Sequence, residues 1–190
     1  MSYPSPRHAR KYTRRSSTLP LASCSINICR MKPADHPEFF RFPAPEGRSR
    51  ESTIALDAGG MFFHDGAPVN HDKLAQAMHS WISRHPDDGR FILTNGYDWT
   101  YFTVEDAPYV VRGVRVEPER VVLRLSDGTE EAWDPRATKF AGDRVTTRVK
   151  GGAFEARFDR HALLALGEVL EERGGRTVAR VGRDVIALEA

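Results

Sequence analysis

The histidines that sit beside carboxylates hold most of the reactive chemistry in this chain. His64-Asp65 and His85-Pro86-Asp87-Asp88 each set an imidazole next to acids, and Asp98, Glu105 and Asp106 follow downstream. Residues of these types ligate divalent metals, or pass a proton between an acid and a base. Their spacing matches no metal motif, and no His-x-x-x-His falls on one helical face. The plainer alternative is that Asp65, Asp87 and Asp88 make turns, because an Asp side chain readily bonds backbone two residues on.

The tract Asn95-Gly96-Tyr97-Asp98-Trp99-Thr100-Tyr101-Phe102 is the other unusual segment. Asn95-Gly96 predicts a two-residue hairpin, since both positions favour positive φ. Alternation along the returning strand puts Tyr97, Trp99, Tyr101 and Thr103 on one side. An exposed face of this kind stacks on a base, a sugar or a Pro-rich peptide. A face packed on a helix is simply a half-buried strand, and that is the favoured reading. The candidate ligand-binding residues are therefore His64, Asp65, His85, Asp98, Trp99, Tyr101, Glu105 and Asp106. No catalytic residue, metal ligand or cofactor is assigned. A nucleophile elbow, a phosphate-binding P-loop and a dinucleotide glycine motif are all missing from the sequence. His79 reads as a partly covered surface histidine. Arg112, Arg115, Arg120 and Arg124 are spread through one region, either as a ligand-binding set or as a solvated face with Glu117 and Glu119.

Residues of these kinds need elements to hold them. Ser52–Leu56 and Met61–His64 form a hairpin, with Asp65-Gly66 as the next turn. A helix over about 71–84 follows. Asn70 is its cap, Val69 and Leu74 are its hydrophobic staple, and Leu74, Met78, Trp81 and Ile82 are its apolar stripe. Arg90–Thr94 and Tyr97–Val104 are strands. Tyr109–Val116, Arg120–Leu125 and Thr129–Trp133 make an antiparallel meander, 134–143 is a connection, and Val145–Val149 is another strand. The chain closes with a strand at Ala153–Phe158 and a helix capped by Asp159 and stapled by Phe158 and Leu163. That helix ends at Gly174-Gly175, and a hairpin follows over Arg176–Leu188.

The offsets indicate a repeat. Gly66 and Gly152 are 86 residues apart, as are Arg90 and Arg176, while the caps Asn70 and Asp159 are 89 apart. The fold class is α+β: two related strand–helix–hairpin units joined by a central antiparallel meander. The units are assigned to residues 51–108 and 109–190, after a lead-in over 33–50.

Residues 1–32 hold seven Lys and Arg and no acid, so the remainder carries 21 basic against 26 acidic residues, a net charge of −5. A mildly acidic body gives no general electrostatic case for binding phosphate backbones. The tail is Ser-, Pro- and Arg-rich, reads as disordered, and leaves Met31 as a candidate start. Contact with nucleic acid through it is the weaker alternative. Arg14-Arg15 and Leu21-Ala22-Ser23-Cys24 imitate export and lipoprotein signals, but the apolar region that both require is missing. Both cysteines, Cys24 and Cys29, lie in the tail, so the body has no thiol chemistry and the cytoplasm is the expected compartment.

The stretch Ile54-Ala-Leu-Asp-Ala-Gly-Gly-Met-Phe-Phe-His-Asp-Gly-Ala-Pro-Val69 resembles the bacterial family catalogued as domain of unknown function 1285. Gly66-Ala67-Pro68-Val69 matches its Gly-x-Pro-Ile. Val104-Glu105-Asp106-Ala107-Pro108-Tyr109-Val110-Val111 matches its Val-Glu-Asp-x-Pro-Phe stretch. The resemblance covers about residues 50–188. The sequence departs from the family in its Arg-rich tail and in the Asn95–Tyr101 tract. The resemblance implies a two-part α+β fold with repeated motifs and a regulatory or signalling role, and it supplies no catalytic residues. The expectation is a non-catalytic module that binds a protein, peptide or small molecule, with no membrane partner. The alternative is a small enzyme using His64, Asp65, His85 and nearby carboxylates.

Overall fold

Turn chemistry sets the strand order. A computed structural model describes residues 31–188, so the readings placed on the basic tail, Cys24 and Cys29 lie outside the described residues. After a lead-in with 3-10 turns at Pro33–Asp35 and Pro37–Arg41, β1 (Glu51–Leu56) pairs with β2 (Phe62–His64). Asp65 and Gly66, at φ of 50° and 77°, turn the chain into the short β3 (Ala67–Pro68). Two successive left-handed residues give the turn whose twist matches a hairpin. Helix α1 (Asp72–Ser80) leads to β4 (Ile82–Arg84), β5 (Phe91–Thr94) and β6 (Trp99–Val104). β6 returns parallel to β1, so the first sheet runs β3-β2-β1-β6-β5-β4.

The second sheet is built the same way. β7 (Tyr109–Val116), β8 (Val121–Leu125) and β9 (Glu130–Ala132) form one meander. A 3-10 turn at Pro135–Ala137 leads into β10 (Thr138–Ala141), β11 (Arg144–Val149) and β12 (Phe154–Phe158). β12 lies parallel to β7, giving the order β10-β11-β12-β7-β8-β9. Helix α2 (Arg160–Leu166) then introduces the antiparallel β13 (Leu170–Arg173), β14 (Arg176–Val181) and β15 (Asp184–Ala187).

The fold is α+β, and the strand–helix–hairpin unit occurs twice. α1 with β4–β6 corresponds to α2 with β13–β15, and both β14 and β15 begin 85 residues after β5 and β6. The two six-stranded sheets also repeat each other, with offsets of 58 residues from β1 to β7 and 55 from β6 to β12.

Several local expectations are corrected. α1 ends at Ser80, and Ile82 lies in a strand, because pairing β4 with β5 buries Ile82 as well as another helical turn would. The cap is His71, whose Nδ1 accepts the Leu74 N–H, so Val69 and Leu74 no longer stand at the staple positions, and Leu74 is 44% exposed. Gly174-Gly175, at φ of 59° and 75°, is a two-residue hairpin turn between β13 and β14 rather than a helix end. At Asn95-Gly96 only the glycine has positive φ. Residues 95–98 form a longer loop, in which Asn95 Oδ1 accepts the Tyr97 and Asp98 N–H groups. The Asp159 cap holds, accepting from the Ala162 N–H, and Phe158 and Leu163 both pack into the core.

One continuous core joins the parts. Leu56, Phe62 and Met78 share it with Val111, Leu123 and Leu166. No helix among the described residues is long and apolar enough to cross a membrane.

Candidate functional site

The two sheet units meet around His79. This residue is 3% exposed, buried where a surface histidine was expected. Its Nε2 lies 3.2 Å from the Gly60 carbonyl oxygen, which can only accept, so Nε2 carries the proton. Nδ1 then accepts from the Ser126 hydroxyl at 3.2 Å, while Ser126 Oγ accepts the Val110 N–H at 3.2 Å. Burial holds the imidazole pKa below its ordinary 6.5, which keeps the ring neutral. A neutral imidazole accepting from a hydroxyl is the arrangement that general-base activation needs. Here a backbone carbonyl occupies the orienting position behind the ring, where hydrolases place a carboxylate.

Two glycines let the seam close. Gly60 has φ +78°, and a Cβ there would stand 2.5 Å from Val110 Cγ2. Gly128, at φ +84°, leaves room for Gln76, whose Nε2 donates to the Asp127 carbonyl at 3.3 Å. Around these contacts lies a hollow of about 600 Å³, lined by Asp72, Gln76, His79, Arg112, Arg124 and Ser126 among others.

The arginines reach the hollow through a bulge. Pairing runs from Val111↔Leu125 to Gly113↔Arg124, so β7 carries one extra residue, and Arg112 and Gly113 together oppose Arg124. A bulge of this kind re-aims a side chain. The Arg124 Nε lies 3.4 Å from where a Gly113 Cβ would stand. Arg112 is steadied by the Gly59 carbonyl at 2.9 Å and by Asp159 at 3.7 Å. Arg124 has no hydrogen-bond or ion-pair partner among the described residues. Its cross-strand neighbour Glu130 is taken by Arg115, at 2.9 and 3.0 Å.

Four of the residues chosen from the sequence form a separate cluster. His85 donates through Nε2 to the Phe40 carbonyl at 3.1 Å, and its ring centroid lies 5.0 Å from Trp99 and 5.5 Å from Tyr101. The Tyr101 hydroxyl donates to Asp88 at 2.8 Å. Arg50 lies 4.5 Å over Trp99 and donates to Asp98 at 2.6 Å. Burial opposes the Asp98 charge, but the Arg50 and Trp99 N–H bonds hold its pKa below the usual value. Trp99 Nε1 and Arg50 Nε are buried without a partner. The aromatic face is not an open platform. Phe40 packs 6.2 Å from Trp99, and Arg41 anchors the lead-in to Asp87 at 2.9 Å. Tyr97 lies outside the strand and is 63% exposed.

The other four fall elsewhere. His64 and Asp65 are exposed at the β2–β3 turn, where Asp65 accepts from the Thr53 hydroxyl. Glu105 accepts the Ala58 N–H at 3.1 Å, and Asp106 is paired with Arg144 at 2.6 Å and Arg157 at 3.3 Å. No hydrogen bond or ion pair joins His64 to His85 or Asp98 among the described residues. Nor does any group of three or more His, Cys, Asp and Glu side chains there form a metal-binding set.

No protein-family model and no curated protein matches the sequence. Among solved structures, a DUF1285 family protein from Silicibacter pomeroyi DSS-3 superposes with a TM-score of 0.59 at 18% identity, covering 78% of this chain and 91% of that one. The chain has the DUF1285 fold. A second DUF1285 family protein, from Shewanella baltica OS155, matches with a TM-score of 0.49 at 21% identity over 59% of this chain and 87% of that one.

In this DUF1285 fold the seam residues His79, Ser126, Arg112 and Arg124 escape a reading based on acid–histidine neighbours. One signal was present in the sequence. Gly113 interrupts a valine-rich strand, and an isolated glycine inside a strand marks a bulge or a close approach.

Proposed function

We propose that the chain is a regulatory ligand-binding module, related to the DUF1285 proteins and acting in the cytoplasm, whose ligand is a small anion seated between Arg112 and Arg124. One observation carries the reading: a bulge sets Arg112 beside Arg124, which makes no ion pair among the described residues, at the wall of a large hollow. A planar guanidinium presents paired donors to a carboxylate or phosphate. Gln76 and Ser126 supply neutral polar groups at the same wall.

Calorimetric titration with inorganic phosphate, against chloride at matched ionic strength, tests this. The wild type is expected to bind saturably, and Arg124→Gln to bind about tenfold more weakly, as loss of one charged hydrogen bond implies. A flat wild-type titration, or a variant that titrates like the wild type, would contradict it.

A further inference from the structure

With a neutral His79 beside it, Ser126 is poorly set to hold an anion. Its hydroxyl hydrogen is spent on His79 Nδ1, and one lone pair of Oγ takes the Val110 N–H. What remains for the hollow that Ser126 lines is a lone pair, which repels negative charge. A proton on Nδ1 reverses this, because both ring nitrogens then donate. Nε2 keeps the Gly60 carbonyl, and Nδ1 donates to Ser126 Oγ or to the Pro108 carbonyl, which also faces the ring. Either way the hydroxyl can no longer donate to the ring. Its hydrogen is released toward the position that neither Val110 nor His79 occupies.

We propose that the seam takes up its anion together with a proton, the proton settling on His79 and the Ser126 hydroxyl turning to the anion. This rests on the hollow being an anion site, and it gives that site a regulator. Each element around the ring brings its own charge. Arg112 on β7 opposes a proton on the ring, and Asp127 in the β8–β9 turn favours one. Asp127 is itself answered by Lys150 at 2.7 Å. Asp72 on α1 and Arg124 on β8 line the same hollow. In the turn that supplies Gly60, Asp57 is committed to the Met61 N–H at 2.7 Å. β2 contributes the uncharged Phe62 ring, 4.8 Å away. Burial and Arg112 thus hold the proton off. An anion lying on Arg112 removes the second of these oppositions, so the anion and the proton favour each other.

Sulfate is the probe, because it stays doubly charged over the range in which histidines titrate, whereas phosphate gains a proton there. The full chain would be titrated calorimetrically between about pH 8 and 5.5 at constant ionic strength, in two buffers of different ionisation enthalpy. Sulfate is expected to bind about tenfold more tightly at the acid end, as one added hydrogen bond to a charged group implies, and to draw in a proton as it binds. The rise should be absent from His79→Gln and from Ser126→Ala, with Ser126→Cys taking the place of the alanine variant if that one does not fold. In the wild type, the His79 imidazole signal, assigned by its loss in His79→Gln, should titrate about one pH unit higher when sulfate saturates the site. If affinity stays level with pH and His79 titrates alike with and without sulfate, the coupling is wrong and the anion site still stands. If the rise persists in the Ser126 variant, the proposal is overturned, because His79 then acts by charge alone. If sulfate binds at no pH, the anion site falls as well.

Discussion

His79 is the residue on which the seam depends, and it makes stability depend on pH. Burial lowers its folded pKa below the 6.5 of an ordinary histidine. The unfolded chain therefore takes up a proton at a higher pH than the folded one. Stability is full above 6.5 and declines as the pH falls from there through the lowered folded value. Urea unfolding of the wild type and His79→Gln across this range should show the decline reduced in the variant, and parallel curves would refute the assignment. Asp127 gives a second residue-scale prediction. Its carboxylate is 4% exposed and is held by Lys150 Nζ at 2.7 Å. Burial opposes its charge, yet Lys150 and Thr129 hold its pKa below the usual value. Lys150→Met strands that carboxylate and should cost about 3 kcal/mol in urea unfolding, with a loss under 1 kcal/mol counting against a buried pair. Neither role was legible from residue types, because burial of a polar side chain is decided by what packs against it from distant sequence.

At the scale of elements, the sequence showed which segments are structured better than where helices stop. Ile82 and Leu170 each satisfy both a helical spacing and a strand alternation, so apolar pattern alone could not end α1 or α2. The deciding information lay in the turns. Gly174-Gly175 is a preferred two-residue hairpin pair, and recognising it moves Leu170–Arg173 from helix to strand. Asn95 misled in the opposite direction, because its side chain caps the loop backbone instead of taking a left-handed conformation. The Gly60 turn is the element-scale test of the seam. Gly60→Ala combines left-handed strain with a collision against Val110, and should cost about 2–4 kcal/mol in urea unfolding. A neutral substitution would mean that the turn can relax away from β7 and does not hold His79 in place.

For the whole molecule, the helix-and-hairpin repeat was legible because glycines and caps recur at nearly constant offset. The repeat between the six-stranded sheets was not, because it resides in strand pairing, and the Asp-Gly turns at Asp65-Gly66 and Asp127-Gly128 that it shares are too common to mark a repeat alone. The candidate site lies where these repeats meet, which no single segment reveals. Because one core runs through both sheets, unfolding should be a single transition. Trp81 and Trp99 report on the first sheet unit and Trp133 on the second. Tryptophan fluorescence and far-UV circular dichroism should therefore give coincident urea midpoints, and separated midpoints would show two independent halves. The most direct measurement is amide chemical-shift mapping of the labelled protein during titration with inorganic phosphate at constant ionic strength. Saturable shifts confined to residues 58–60, 110–113 and 124–128 are the predicted result. Shifts that fail to saturate, or that scatter over exposed arginines such as Arg41, Arg90 and Arg115, would contradict an anion site in the seam.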